Sequence, residues 1–378
     1  MSLPYSDKLN IGYLSRLFDN TSNCYKFFWF QAVLRKVDGI HNSFTFDELI
    51  NEMIADAWYM VTEYHLHLGP LGITDNLEEV VNYIYENYPF RSSQKREDIL
   101  AFLNSTEDKQ IAKYKSDLTL NVPYRLQVPF YDEITIGKQL WHGSKIELTN
   151  VINSQRRLMY YFTQISGLGS RIEVDSIWVD YLTKHKEILK GWTQLKLIQY
   201  LQNKNPSVPG IADKIEAPAA RDIERVRRYW RLIIDLDPSL KDIYGEITLA
   251  EKSISVDHFV PWQYVAHDEL WNLHPTIRSI NSSKSNCLPV WDVYFVSLSE
   301  LEYRAYELKA QEEAVAKAFE RIAPYHLNNQ EIRNSLYEEG LEKEAFRQRL
   351  ANVIKPVYDS AKNQGFKEWT YHECNHIQ

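Results

Sequence analysis

Three cysteines in 378 residues, Cys24, Cys287 and Cys374, are too few and too scattered for a disulfide framework, and no C-x-x-C pair offers a thiolate zinc site. Long apolar runs are missing too. Runs such as Phe27 to Phe30 fall far below the roughly 18 residues that a membrane span requires. The first 25 residues show no basic-then-apolar leader pattern, so a cytoplasmic location with no membrane association is expected. Glycine (13) and proline (14) are scarce, which excludes a fibrous or low-complexity chain. An excess of basic charge is also lacking. Lys and Arg number 43 against 51 Asp and Glu, a net charge of −8, so any nucleic-acid contact must come from a local patch. What the chain does have is apolar mass, 44% of residues with 10 Trp, 25 Tyr and 15 Phe, enough for two or three domains with more than one core.

Most of the chain reads as helix. Thr45 and Glu48 form a capping box, and Leu49, Met53, Ala57, Val61, Tyr64 and Leu68 follow at spacings of three or four until Gly69-Pro70 stops the pattern. Further helices are expected from Leu77 to Tyr88 and from Ser93 toward Lys115. Near Leu118 the texture changes, and residues 120–129 alternate apolar and polar with two prolines, as an edge strand or extended segment would. Helical patterning returns over 151–165 and 172–202, and 203–209 reads as a linker. Residues 218–236 predict a basic helix in which Arg221, Arg225, Arg227, Arg228 and Arg231 are set among Asp222 and Glu224, with Asp235 near its end. Ser297 and Glu300 box the start of a long helix reaching Pro324, and helices continue to about residue 364. The expected organisation is a helical region 1–118, a mixed α/β region 119–210, a basic helix with a compact unit over 211–292, and a helical region 293–378.

Three clusters between Ser253 and Pro289 break the helical monotony: Val256-Asp257-His258-Phe259-Val260-Pro261-Trp262, then Trp271-Asn272-Leu273-His274-Pro275, then Asn281-Ser282-Ser283-Lys284. The first ends an alternating, β-branched run closed by proline, the second is a short apolar strand, and the third opens a short helix with Asn281 and Lys284 on one face. Strand, loop, strand, helix is the implied unit. In this order the clusters resemble the HNH (ββα-metal) nuclease superfamily, in its variant with asparagine as the third letter. The resemblance covers about 45 residues. Its lead-in, Ile243-Tyr244-Gly245-Glu246-Ile247, lacks the cysteines that bind structural zinc in some members, so this copy is expected to fold without zinc.

The chemistry of these residues suits phosphodiester hydrolysis, which needs a base for water, a cation for developing charge, and groups that position the backbone. His258 is the natural base, because an ordinary imidazole is largely neutral at pH 7. Asp257 and Asn281 offer hard oxygen ligands to one Mg²⁺ or Mn²⁺. Adjacent strand residues point to opposite faces, so the backbone must turn at His258 for Asp257 and His258 to serve one site. The resemblance implies that Asn272 hydrogen-bonds across the loop to fix that turn, and that Lys284 faces phosphate.

Other constellations are weaker. His267 and His274 flank the unit without matching a ligand position of the family; His65 and His67 sit at a poor metal spacing; His372, Cys374 and His376 lie at a chain end. Gly167-Leu168-Gly169-Ser170 lacks the remaining glycine of a phosphate loop. The arginine helix reads either as a solvated face or as a contact to the nucleic-acid backbone, and its place just before the unit favours contact.

The sequence therefore predicts an α+β protein, a mostly helical chain with an embedded ββα-metal unit near 241–292. The resemblance implies a metal-dependent endonuclease that cleaves DNA and leaves a 5′-phosphate, in a restriction or anti-phage setting by analogy. An RNA-cleaving nuclease and a nonenzymatic protein whose inactive ββα unit grips nucleic acid are the alternatives. The remaining helical mass is expected to recognise a substrate structure, a ligand, a protein partner or a second copy.

Overall fold

Helices dominate the computed structural model, which describes the chain apart from residues 1–2, 71, 74, 132–135, 156, 207, 217–222 and 372–378. Arg221 and the tail residues His372, Cys374 and His376 thus lie outside the described residues. The chain divides into two units, Met1–Pro206 with Lys214–Ala217, and Ser207–Asp213 with Pro218–Gln378. The boundaries read near residues 118 and 292 fall inside the first and the second of these.

In the first unit, α1 (Tyr25–Lys36), α2 (Phe46–Thr62), α3 (Asn76–Asn87), α4 (Arg96–Ser105) and α5 (Lys109–Leu118) pack around a three-stranded sheet and a later helical pair. The Thr45 capping box forms as read, with the Glu48 carboxylate accepting the Thr45 N–H at 2.7 Å. The helix it opens stops at Thr62, short of Gly69. There His65 turns left-handed (φ 51°) and the Leu66 N–H returns to the Met60 carbonyl at 3.1 Å. The helix read from Ser93 toward Lys115 breaks in two, because Asp108 caps α5 by accepting from the Gln110 and Ile111 N–H groups.

Two expectations fail here. Residues 120–129 are not extended: Pro123 and Pro129 sit in the first turns of short helical segments, Val122–Arg125 and Val128–Phe130, where a missing N–H costs nothing. The helix read over 151–165 is α6 (Lys145–Asn153) followed by strand β2 (Tyr160–Gln164). That strand is aromatic-rich and pairs with central β3 (Arg171–Val174), which pairs in turn with β1 (Ser43–Thr45), all antiparallel. α7 (Ser176–Lys184) and α8 (Lys186–Lys204) complete the unit.

The second unit is built on α9 (Glu224–Leu236), the hairpin of β4 (Ile254–His258) and β5 (Leu273–Ile277), α10 (Arg278–Lys284), β6 (Leu288–Pro289), α11 (Trp291–Gln311), α12 (Glu313–His326), α13 (Lys343–Asn363) and β7 (Glu368–Trp369). Ser297 and Glu300 do not start a helix. They lie inside α11, which begins at Trp291, just after β6 pairs with β7. One core, with Trp230, Val256, Phe259, Leu273, Ile280, Leu298, Phe319, Leu350 and Tyr358 in it, runs beneath these elements. The apolar face of α9 covers both strands of the hairpin, and Trp230 Nε1 donates to the Leu273 carbonyl at 3.0 Å. Pro275 is tolerated in β5 because the two-stranded hairpin leaves its other edge unpaired.

Candidate active site

β4 and β5 pair antiparallel with Asp257 opposite His274 and His258 opposite Leu273, and α10 folds back onto both strands. Strand, loop, strand, helix is therefore the observed order. Ahead of it, residues 242–247 form a tight turn held by one carboxylate. Asp242 Oδ1 accepts from the Tyr244 and Gly245 N–H groups at 2.9 and 2.8 Å, and Oδ2 accepts from the Thr276 hydroxyl of β5. A Cβ on Gly245 would stand 3.0 Å from the Tyr371 ring and 3.2 Å from the Ile280 side chain, so a larger residue there would require those side chains to shift.

The end of β4 is clamped from two sides. Asn272 reaches across the loop with both ends of its amide, Nδ2 donating to the Val260 carbonyl at 2.9 Å and Oδ1 accepting the Val260 N–H at 2.8 Å. Its own carbonyl accepts the Phe259 N–H at 2.9 Å. From the other side, Lys284 Nζ donates to the His258 carbonyl at 2.7 Å. These bonds fix the backbone where the chain leaves the strand.

Asp257 and Lys284 form a buried ion pair, with Nζ 3.2 and 3.1 Å from the two carboxylate oxygens and Lys284 only 1% exposed. The Lys284 ammonium, expected to face phosphate, points inward here and is the counter-ion of Asp257. The Tyr244 hydroxyl donates to Asp257 Oδ2 at 2.8 Å. His274 Nε2 lies 3.6 Å from the same oxygen, too far to hydrogen-bond, and neither ring nitrogen has a partner among the described residues. Burial between the Tyr244 and Phe259 rings pushes His274 down to about 4, so it is neutral near pH 7.

His258 is oriented by a residue that its spacing does not advertise. Its Nε2 lies 2.8 Å from Asp268 Oδ1 in the β4–β5 loop. A carboxylate only accepts, so Nε2 carries the proton and the imidazole lone pair sits on Nδ1. The loop is anchored in turn. His326 Nδ1 donates to the Asp268 carbonyl at 2.7 Å, and the Asn328 amide donates to the Glu269 carboxylate at 2.7 Å.

Asn281 Nδ2 donates to Ser255 Oγ at 2.9 Å and to the Val256 carbonyl at 3.2 Å. A carbonyl can only accept, so the amide is locked with Oδ1 turned away, and no described residue donates to that oxygen. Asp257 offers a carboxylate held by Lys284 and Tyr244, and Asn281 an amide oxygen to which no described residue donates; both are oxygen donors of the type that suits a hard cation. No three His, Cys, Asp or Glu side chains converge as a cage among the described residues, so water and phosphate would complete such a shell.

The arginines of α9 separate onto two faces. Arg227 and Arg231 both bond the Glu224 carboxylate, whereas Arg225 and Arg228 line a cleft against α12.

Residues 243–290 match the model of the HNH endonuclease family. This stretch is similar to an HNH endonuclease unit. No curated protein and no solved structure matches the chain. The HNH unit holds every residue of the three clusters, and the α+β architecture around it is the one expected. Sequence reasoning missed Asp268 and the role of Tyr244. An aspartate ten residues beyond the histidine carries no periodic signal, and Tyr244 was visible only as part of the lead-in.

Proposed function

We propose that this protein is an endonuclease whose HNH unit hydrolyses phosphodiester bonds of DNA. The observation that carries the proposal is the His258–Asp268 pair at the end of a clamped strand, within a segment that matches the HNH endonuclease family. His258 takes the proton of the attacking water at Nδ1 while Nε2–H stays on Asp268, which favours the imidazolium that forms. Asn272 and Lys284 are positioning residues that hold the backbone bearing His258. Asp257 and Asn281 would hold one Mg²⁺ or Mn²⁺, which when bound neutralises charge developing on the phosphate and the leaving oxygen. Lys284 matches the charge of Asp257 and orients its carboxylate. Water attack with departure of the 3′-oxygen leaves a 5′-phosphate. Of the arginines of α9, Arg225 and Arg228 line the cleft against α12 and are the ones assigned to the nucleic-acid backbone, whereas Arg227 and Arg231 bond Glu224. A restriction or anti-phage setting accords with a nuclease unit carried in a much larger helical chain.

The test is plasmid cleavage by the full chain with Mg²⁺, Mn²⁺ or a chelator, beside His258→Ala, with a structured RNA as a parallel substrate. Metal-dependent nicking or linearisation lost in His258→Ala supports the reading. Equal cleavage by both proteins, or none by wild type on either substrate, overturns it.

A further inference from the structure

The cleft between α9 and α12 has a composition that the hydrolytic residues do not explain. It encloses about 360 Å³ and is lined by Arg225, Arg228, Tyr229, Arg321, Ile322 and Tyr325. Arg228 Nε donates to the Glu224 backbone carbonyl at 3.5 Å, and neither Arg228 nor Arg321 has a carboxylate in ion-pairing range among the described residues. Two guanidinium groups thus share a concave surface with no such carboxylate among the described residues. Beside them the Arg225 guanidinium stacks 3.9 Å from the centroid of the Tyr325 ring, which nevertheless stays 59% exposed. Tyr229 and Ile322 make an apolar floor. Cationic walls, an apolar floor and an exposed aromatic plane together match a phosphate joined to a flat base, and the volume suits a single small group.

The cleft is coupled to the catalytic histidine by covalent and hydrogen-bonded neighbours. Tyr325 precedes His326, which holds the Asp268 carbonyl, and Asp268 holds His258. We propose that this cleft receives one unstacked nucleotide of the strand being cut, with its phosphate on Arg228 and Arg321 and its base against Tyr325. The proposal rests on the nuclease reading for its place beside the scissile bond. A concave pocket cannot enter a groove of an intact duplex, so the unit should favour single-stranded or locally opened substrate.

The experiment is fluorescence anisotropy of the full chain with a labelled single-stranded DNA oligonucleotide and with its duplex, in chelator so that nothing is cleaved. Wild type should bind the single strand more tightly. Tyr325→Ala should weaken that binding about tenfold while Tyr325→Phe keeps it, since one stacked base contributes about 1–3 kcal/mol. Arg321→Ala should lower the slope of log affinity against log salt by about 0.7, the mark of one lost phosphate contact on a single strand. Arg227→Ala, paired with Glu224, should leave slope and affinity unchanged. Thermal melts confirm folding of each variant. Wild-type binding and slope in both Tyr325→Ala and Arg321→Ala, or no single-strand binding by wild type, overturns the cleft as a nucleotide site. Plasmid cleavage by wild type is scored separately: cleavage with indifferent cleft variants refutes the cleft alone, and absent cleavage with Tyr325- and Arg321-dependent binding refutes the nuclease reading alone.

Discussion

His258 and Asp268 are bonded Nε2 to Oδ1 at 2.8 Å, so the carboxylate chooses which nitrogen of the imidazole can act as base. Asp268→Ala should cost less than His258→Ala, whose loss is about 10²–10⁴-fold in kcat. Asp268→Asn should be worse than Asp268→Ala, because an amide can donate to Nε2 and stabilise the opposite tautomer, with the proton on Nδ1. Single-turnover cleavage by the three variants reads the order. Asp268→Asn as active as wild type would remove the carboxylate from the mechanism.

The Asp257–Lys284 pair predicts a stability effect of its own. Removing one partner of a buried pair leaves an uncompensated charge, at a cost of about 3–5 kcal/mol. Lys284→Met should therefore melt well below wild type, whereas Asp257→Asn with Lys284→Met together should recover much of the loss. Differential scanning calorimetry of the cycle measures this. A Lys284 exposed to phosphate would leave the melt of Lys284→Met unchanged.

At Asn281 the expectation concerns metal choice. A neutral amide oxygen suits Mg²⁺ and Mn²⁺, whereas an imidazole favours Zn²⁺ and Ni²⁺. Asn281→Ala should lose metal affinity and activity, and Asn281→His should shift the preference toward the transition metals. Calorimetric titration and cleavage across the four metals check both. Full Mg²⁺ affinity in Asn281→Ala would pass the ligand role to His274, whose buried nitrogens have no partner among the described residues.

Glu302 of α11 gives a pH-dependent prediction. It is buried with Oε1 unpartnered among the described residues, and desolvation raises its carboxyl far above the ordinary range. The folded chain therefore keeps a proton that the unfolded chain releases above about pH 4.3. The corresponding stability is present below that pH and is lost as pH rises. Glu302→Gln cannot ionise, so its melting temperature should gain on wild type from pH 5 to 8. The gap should grow by about 2–4 °C for each kcal/mol relieved. A constant gap across that range would mean that Glu302 is not the titrating group.

The sequence was legible where a local rule and the tertiary context agree. Thr45 and Glu48 cap a helix because the residues that follow are buried on the face they predict. The same pattern at Ser297 and Glu300 misleads, because the chain is already helical from Trp291 once β6 has paired with a strand some eighty residues later. Tyr160–Gln164 was read as helix although its aromatic run suits a strand, and only pairing with β3 settles the choice. In the candidate site, His258, Asn272 and Asn281 could be singled out because their order is specific. Asp268 and the inward turn of Lys284 were not, since both depend on which neighbour a side chain reaches after folding.

The bond from His326 to Asp268 has a consequence for portability. The matched stretch 243–290 carries His258, Asn272 and Asn281, yet His326, Asn328 and Trp230, which brace its loop and second strand, belong to segments on either side. Grafted as a cassette into another scaffold, the stretch would keep its reactive groups and lose the struts that aim them. The proposed nuclease site would in that sense depend on the whole second unit, since the end of α12 holds the loop that holds His258.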